Sequence, residues 1–206
     1  MTTDFFSDDE EEIRVPLRDA EVFYYPNFLP NARADLTLRQ LIECTPWRSE
    51  DIVVWGKKFA QPRLIAWYGD EDNHYTYSGI KLTPLAWSPL LLELKSLVES
   101  KVGASFNSVL INYYRNHRDS MGFHSDDEAE LGAQPVIASL SLGEQRSFIL
   151  KHKTDKSIKP VCLKLSSGSL LVMKGDTQKY WRHGINKEAN PCGPRVNLTF
   201  RRVKHA

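Results

Sequence analysis

Apolar positions recur at helical spacing in two places and alternate almost everywhere else. Residues 32–44 put Leu36, Leu38, Leu41 and Ile42 on one side of a helix, with Asn31 as the expected cap and Pro46 as the stop. A second helix is better marked. Ser88 suits its N-cap, Pro89 its first position and Gly103 the residue past its end. Leu90, Leu91, Leu94, Leu97, Val98 and Val102 share one face of it. The rest reads as β. Residues 53–55 run into Gly56, and 63–68 are apolar and aromatic. From Phe106 onward strands are expected at 108–114, 136–142, 147–153, 161–165, 169–173, 181–185 and 195–201, separated by Gly, Asn, Asp or Pro. Short strands in one block predict a sandwich or jelly roll. The expected class is α/β with a mainly β core, in one compact domain: residues 21–105 mixed α/β, 106–203 the β core.

Composition narrows this picture in few places. With 41% hydrophobic and 26% charged residues the chain is an ordinary globular one, so wholesale disorder is excluded. No apolar run approaches the ~18 residues of a membrane span. The net charge of +1 hides an asymmetry: residues 1–12 carry six acids and no base, leaving 27 bases against 20 acids beyond them. A body at +7 is compatible with a polyanionic partner. Residues 1–20 are expected to be an acidic, disordered tail, and their charge is the opposite of a secretory leader's. Three widely spaced cysteines, Cys44, Cys162 and Cys192, with no Cys-x-x-Cys, predict reduced thiols inside a cell and no structural zinc site.

The candidate chemistry begins at His124-Ser125-Asp126. Two ligand types one residue apart can hold one ion where the chain turns at a strand end. His183, within the 181–185 strand, supplies a third. Two histidines and a carboxylate form the facial triad of non-haem iron(II) oxygenases, which leaves positions open for a chelating cosubstrate and dioxygen. The same set serves a zinc hydrolase, and three such residues also occur as ordinary surface or core side chains. The last strand adds weight to the oxygenase. Arg195, Asn197, Thr199 and Arg201 share one face, while Val196, Leu198 and Phe200 share the other. The arginines stand roughly 20 Å apart along the strand. Leaning inward, they leave room for a short dicarboxylate, which guanidinium forks read well. Asn112 and Tyr114 share a face of the 108–114 strand, where they either complete a site for the same ligand or, as the strand taken alone favours, belong to a core strand ending in interfacial aromatics.

These residues, in this order, resemble the AlkB family of iron(II)- and 2-oxoglutarate-dependent nucleic-acid dealkylases. The resemblance extends upstream through Gln61-Pro62-Arg63, Trp67-Tyr68-Gly69 and Tyr75-Thr76-Tyr77-Ser78-Gly79, and takes in Ala138 to Gly143. It covers about residues 50–203 and is nearest to the branch holding the two human DNA-repair dealkylases. It implies a double-stranded β-helix, a jelly roll, with 21–105 as an N-terminal α/β nucleotide-recognition lid. It implies iron held by His124, Asp126 and His183. The far carboxylate of 2-oxoglutarate would pair with Arg195, helped by Tyr114. Arg201 and Asn112 would lie near the carboxylate at the metal, with Asn197 and Thr199 as further contacts. With dioxygen, such a site hydroxylates an N-methyl group, and the hemiaminal collapses to formaldehyde and the repaired base. Cationic N1-methyladenine and N3-methylcytosine in DNA or RNA are the expected substrates, and each must leave the base stack.

Tyr75 and Tyr77 resemble the family's pocket aromatics, and Asp127 and Glu128 would favour a cationic base. Trp55, Gly56 and Lys57 match a hairpin that wedges into duplex, though Trp55 suits a core aromatic equally well; Lys57, Lys58 and Arg63, with Arg115, His117 and Arg118, are candidate phosphate contacts. A monomer is expected, in the cytoplasm of a bacterium or the nucleus of a eukaryote. The competing readings are an oxygenase of a protein or small molecule, a zinc hydrolase and a catalytically dead nucleic-acid binder.

Overall fold

The computed structural model describes residues 12–49, 51–54, 57–71, 75–77, 80–82 and 84–204; for 51–54, 57–60, 75–77 and 80–82 it describes the backbone alone. The chain opens with β1 (Ile13–Val15), β2 (Glu21–Tyr25) and α1 (Asn31–Cys44). Then come β3 (Asp51–Val54), β4 (Lys57–Ala60), β5 (Leu64–Gly69), β6 (Tyr75–Tyr77), β7 (Ile80–Leu82) and α2 (Pro89–Val102). The second half supplies β8 (Ser108–Tyr114), β9 (Met121–His124), β10 (Ile137–Gly143), β11 (Arg146–His152), β12 (Val161–Leu165) and β13 (Ser169–Lys174). It ends with α3 (Thr177–Tyr180), β14 (Trp181–Ile185) and β15 (Arg195–Arg201).

Two antiparallel sheets carry the fold. The major sheet runs β1-β2-β13-β10-β15-β8-β5 and the minor sheet β12-β11-β14-β9. The pairs β3–β4 and β6–β7 stand as separate hairpins. Strand parity decides what each face of the major sheet does. Val109, Ile111, Ala138, Leu140, Leu142, Val196, Leu198 and Phe200 pack with Ala34 and Leu41 of α1 and Leu91, Leu94 and Val98 of α2. Ile137, Leu171, Met173 and Tyr114 face the other way, onto Phe148, Leu150, Leu165, Trp181 and Ile185 of the minor sheet and the strand ends beside it. Asn112, Ser139, Ser141, Arg195, Asn197 and Thr199 lie on that inner side too, all buried, so polar groups are enclosed between the sheets.

The helices differ in how they start. Ser88 Oγ accepts from the Leu91 N–H at 3.2 Å, and Gly103 ends α2 at φ 69°, where a side chain would be strained. Asn31 does not cap α1; it is the first helical residue, preceded by Pro30, and no side chain caps it.

The expected boundaries need two corrections. Residues 12–20 are not a disordered tail. Val15 is buried against the inner core, β1 pairs β2 from Ile13↔Tyr24 to Val15↔Val22, and the Trp181 Nε1–H donates to the Arg18 carbonyl at 2.8 Å. Nor is the β core confined to 106–203. β2 pairs β13 and β5 pairs β8, so the major sheet takes strands from both parts. Among the described residues no helix is long and apolar enough to cross a membrane.

Candidate active site

Antiparallel pairing assembles the polar chamber. Arg195 lies opposite Tyr114 and Asn197 opposite Asn112 on β8, while Ser139 and Ser141 of β10 face Thr199 and Asn197 from the other side. On the minor sheet, β14 pairs β9 with His183 opposite His124. Asp126 follows two residues after β9. One ligand atom each from His124, Asp126 and His183 falls within 4.8 Å of the others. The Nε2 atoms of His124 and His183 lie 4.0 and 3.7 Å from the Asp126 carboxylate.

Each of the three is prepared for a cation. The His124 Nδ1 sits 3.0 Å from the Gly122 carbonyl, which can only accept, so Nδ1 carries the hydrogen and Nε2 keeps its lone pair. The His183 ring stacks on Phe148 at 5.1 Å. Burial, reinforced by His124, pushes the His183 pKa down to about 3, so this imidazole is neutral and available as a ligand. For Asp126 burial pushes the pKa up, but the Arg201 guanidinium and both imidazoles outweigh it and hold the carboxyl below its ordinary value. Arg201 donates to Asp126 Oδ1, whereas Oδ2 is buried with no hydrogen-bond partner among the described residues. A buried carboxylate oxygen without a donor is costly unless a cation meets it. The donor set therefore suits an iron(II) ion.

Arg195, 1% exposed, lies behind the triad in the same chamber. Its Nη2 donates to Ser141 Oγ at 3.0 Å, and its guanidinium lies 5.2 Å from the centre of the Tyr114 ring. Its Nε and Nη1 are buried and have no acceptor among the described residues. Burial, with like charge from Arg146, lowers the Arg195 pKa against the opposing effect of Tyr114. A guanidinium this enclosed, with donors to spare, is a site for an anion. Asn197 and Thr199 are engaged with protein: Asn197 Nδ2 donates to Ser139 Oγ and the Leu140 carbonyl, and Thr199 Oγ1 donates to Asn197 Oδ1. Asn112 Oδ1 accepts from Arg63 Nε at 2.7 Å.

A larger cleft of about 330 Å³ opens on the other side of the triad. Met121, His124, Asp126 and Arg201 line both it and the chamber, so the two cavities meet at the metal ligands. Its walls are mostly apolar, with Ile65, Trp67, Leu85, Leu110, Phe123 and Leu131, and Arg48, Gln61 and Glu128 among its polar residues.

The carboxylates expected to act together are separated. Glu128 lines the cleft, whereas Asp127 does not; Asp127 is an exposed ion pair with Lys153 at 2.8 Å, because the chain turns it outward after Asp126. Arg63 is buried on Asn112, and Arg115 is bonded twice to Asp119. Trp55 and Gly56 lie outside the described residues. Lys57 falls in β4, and Tyr75 and Tyr77 in β6.

Sequence reading missed Arg146, which is 0% exposed. It donates to the carbonyls of Asn116, Asp119 and Asn186, tying the β8–β9 turn to the loop after β14. Parity held the signal, since Arg146 shares a strand face with Phe148 and Leu150.

The sequence pattern of the 2OG-Fe(II) oxygenase superfamily matches residues 21–201. The human protein named alpha-ketoglutarate-dependent dioxygenase alkB homolog 3 is 42% identical over 196 residues, 91% of this chain and 68% of that protein. The mouse protein named DNA oxidative demethylase ALKBH2 is 38% identical over 188 residues, 87% and 79% of the two chains. A solved structure, titled the structure of OsALKBH1, aligns with 92% of this chain at a TM-score of 0.63 and 15% identity, and so shares the fold. Sequence, fold and paired histidines agree that the chain belongs to the AlkB family of 2OG-Fe(II) oxygenases, whose chemistry uses iron(II), 2-oxoglutarate and dioxygen.

Proposed function

We propose that this protein oxidatively demethylates N-alkylated bases in nucleic acid, with N1-methyladenine and N3-methylcytosine in DNA as its principal substrates. The observation that carries this reading is the meeting of two cavities at one triad. The enclosed chamber suits a small dicarboxylate, and the wider apolar cleft suits a flat heterocycle. The names of the relatives support the substrate class.

In this reading His124, Asp126 and His183 hold the metal, and Arg201 steadies Asp126 through Oδ1 while Oδ2 faces the ion. Arg195 binds the far carboxylate of 2-oxoglutarate with its two free donors, held in place by Ser141 and the face of Tyr114. Iron(II), 2-oxoglutarate and dioxygen together supply an N-methyl hydroxylation that is balanced by conversion of 2-oxoglutarate to succinate and carbon dioxide. The cleft walls exclude water from the flipped base, and His124 offers a ring to stack on it. Glu128, a carboxylate of the cleft that is not one of the triad, favours a cationic lesion. At the rim, Lys151 and Arg182 lie 3.9 and 5.9 Å from the Phe123 ring and provide charge for the phosphate backbone. The segment 21–105 contributes the lid, with Trp55, Gly56 and Lys57 at the duplex and Tyr75 and Tyr77 at the base. The enzyme acts as a monomer inside the cell.

The test incubates the protein with iron(II), 2-oxoglutarate and an N3-methylcytosine oligonucleotide in air. Stoichiometric formaldehyde and succinate, both lost without oxygen, are expected. Succinate without loss of the methyl group would move the substrate elsewhere; RNA and DNA versions of the oligonucleotide rank the two polymers.

A further inference from the structure

The metal-ligand segment leaves β9 at His124 and has no strand partner of its own at Asp126. What fixes it is a set of bonds to α3 and the start of β14. Ser125 Oγ donates to the Trp181 carbonyl at 2.9 Å, and the Asp126 N–H donates to Gln178 Oε1 at 3.0 Å. Gln178 is 1% exposed. Its Nε2 is turned toward the Met173 sulfur at 3.6 Å, an acceptor, so the amide must present its oxygen to Asp126. Lys153 closes the arrangement, since its Nζ donates both to the Gln178 carbonyl at 2.7 Å and to Asp127 Oδ2 at 2.8 Å. Lys153 is itself anchored by its N–H to the Tyr180 carbonyl at 2.7 Å. Residues 125 and 126 directly, and 127 through Lys153, are therefore tied to the 178–181 segment, two residues ahead of His183 at its nearest bond.

The geometry points to Gln178 as a positioning residue for the metal site, with Lys153 as its lock: together they hold Asp126 at a fixed place relative to His183. The inference rests on the triad being the metal site. Its physical basis is that a ligand on a loop binds tightly only when its own conformational freedom is removed beforehand, and partners one shell out typically set metal affinity by tenfold or more. Gln178 touches neither ion nor substrate in this account; it acts through the backbone of Asp126.

The test measures metal affinity without turnover. Manganese(II), a spectroscopic probe of the iron site, is titrated into the protein and its free fraction read by electron paramagnetic resonance. Gln178→Leu, which keeps the volume and removes the acceptor, is expected to weaken manganese binding by about tenfold. Gln178→Glu keeps an acceptor at the same reach and should recover most of that loss. Lys153→Met, at a half-buried position, should weaken binding several-fold, and Lys153→Arg should restore it. Melting temperatures are taken on the same preparations. If Gln178→Leu fails to fold, the Lys153 pair decides alone. A folded Gln178→Leu or Lys153→Met protein that binds manganese within twofold of the unaltered protein overturns the inference, because a purely structural role would lower the melting temperature and leave the affinity of the folded state alone. Unaltered protein that binds no manganese would instead remove the metal site and this inference with it.

Discussion

Arg195 and Asp126 pose the same problem in opposite charge, a buried ion whose remaining hydrogen-bonding capacity is unmet by the described residues. Each is tolerable only because something else completes it, and that gives two predictions. His124→Ala, Asp126→Ala and His183→Ala should each abolish turnover and leave the circular dichroism spectrum intact, since the triad has no spare ligand. Near-normal rates in two of the three at limiting iron would contradict the assignment. Arg195→Lys should raise the KM for 2-oxoglutarate about tenfold, because an ammonium presents no planar fork. Nucleic-acid affinity measured without cosubstrate should barely change. The opposite pattern would mean that β15 presents Arg195 to the polymer.

Between the strands, turns carry their own chemistry. The β8–β9 turn is closed by Asp119, which is 4% exposed and accepts from the Arg115 backbone and guanidinium. Burial pushes the Asp119 pKa up, but Arg115, aided by Arg146, outweighs it and holds the carboxyl below its ordinary value. A depressed folded pKa means the unfolded chain binds the proton more readily. The stabilisation is therefore complete above the usual carboxylate range and is lost as pH falls from there through the lower folded value. Asp119→Asn should cost about 1–3 kcal/mol at neutral pH, and its melting curve should converge on the unaltered protein's in acid. A constant gap down to the lowest pH would refute this. At the β3–β4 hairpin the test concerns Trp55. As a wedge, Trp55→Ala should cut repair of duplex about tenfold, losing roughly 1–3 kcal/mol of stacking, and spare single strands. As a core residue it would lower both rates and the melting temperature together. The elements themselves were unevenly legible. β8, β12, β14 and β15 can be read to the residue: β15 alternates throughout, β8 is mostly apolar and aromatic, and Gly, Asn, Asp or Pro break the chain nearby. β1 was hidden by the acids around it, and β9 by Gly122 and the polar residues on either side. The inner face of β15 was visible from parity alone. The pairing of Asp127 with Lys153 was not, since 26 residues separate them and only the sheet brings them together.

On the scale of the whole molecule, the strands written last in the sequence are not the ones at the margin. β15 sits between β10 and β8, near the middle of the seven-stranded sheet, and it brings Arg195 and Arg201 with it. Synthesis of 206 residues takes roughly 10–40 s at cellular rates of about 5–20 residues per second. From their own synthesis until β15 emerges, β8 and β10 must wait with an unpaired edge, and β2 must wait for β13. Such nascent sheets invite pairing with other chains. The protein should therefore remain chaperone-bound until β15 has left the ribosome. A chain stopped at residue 194 should be recovered as aggregate, whereas a C-terminal extension long enough to clear β15 from the exit tunnel should let the tethered chain resist protease. Folding and the acquisition of cosubstrate binding would then be a single event, timed by the last strand, with no partly folded form able to consume 2-oxoglutarate.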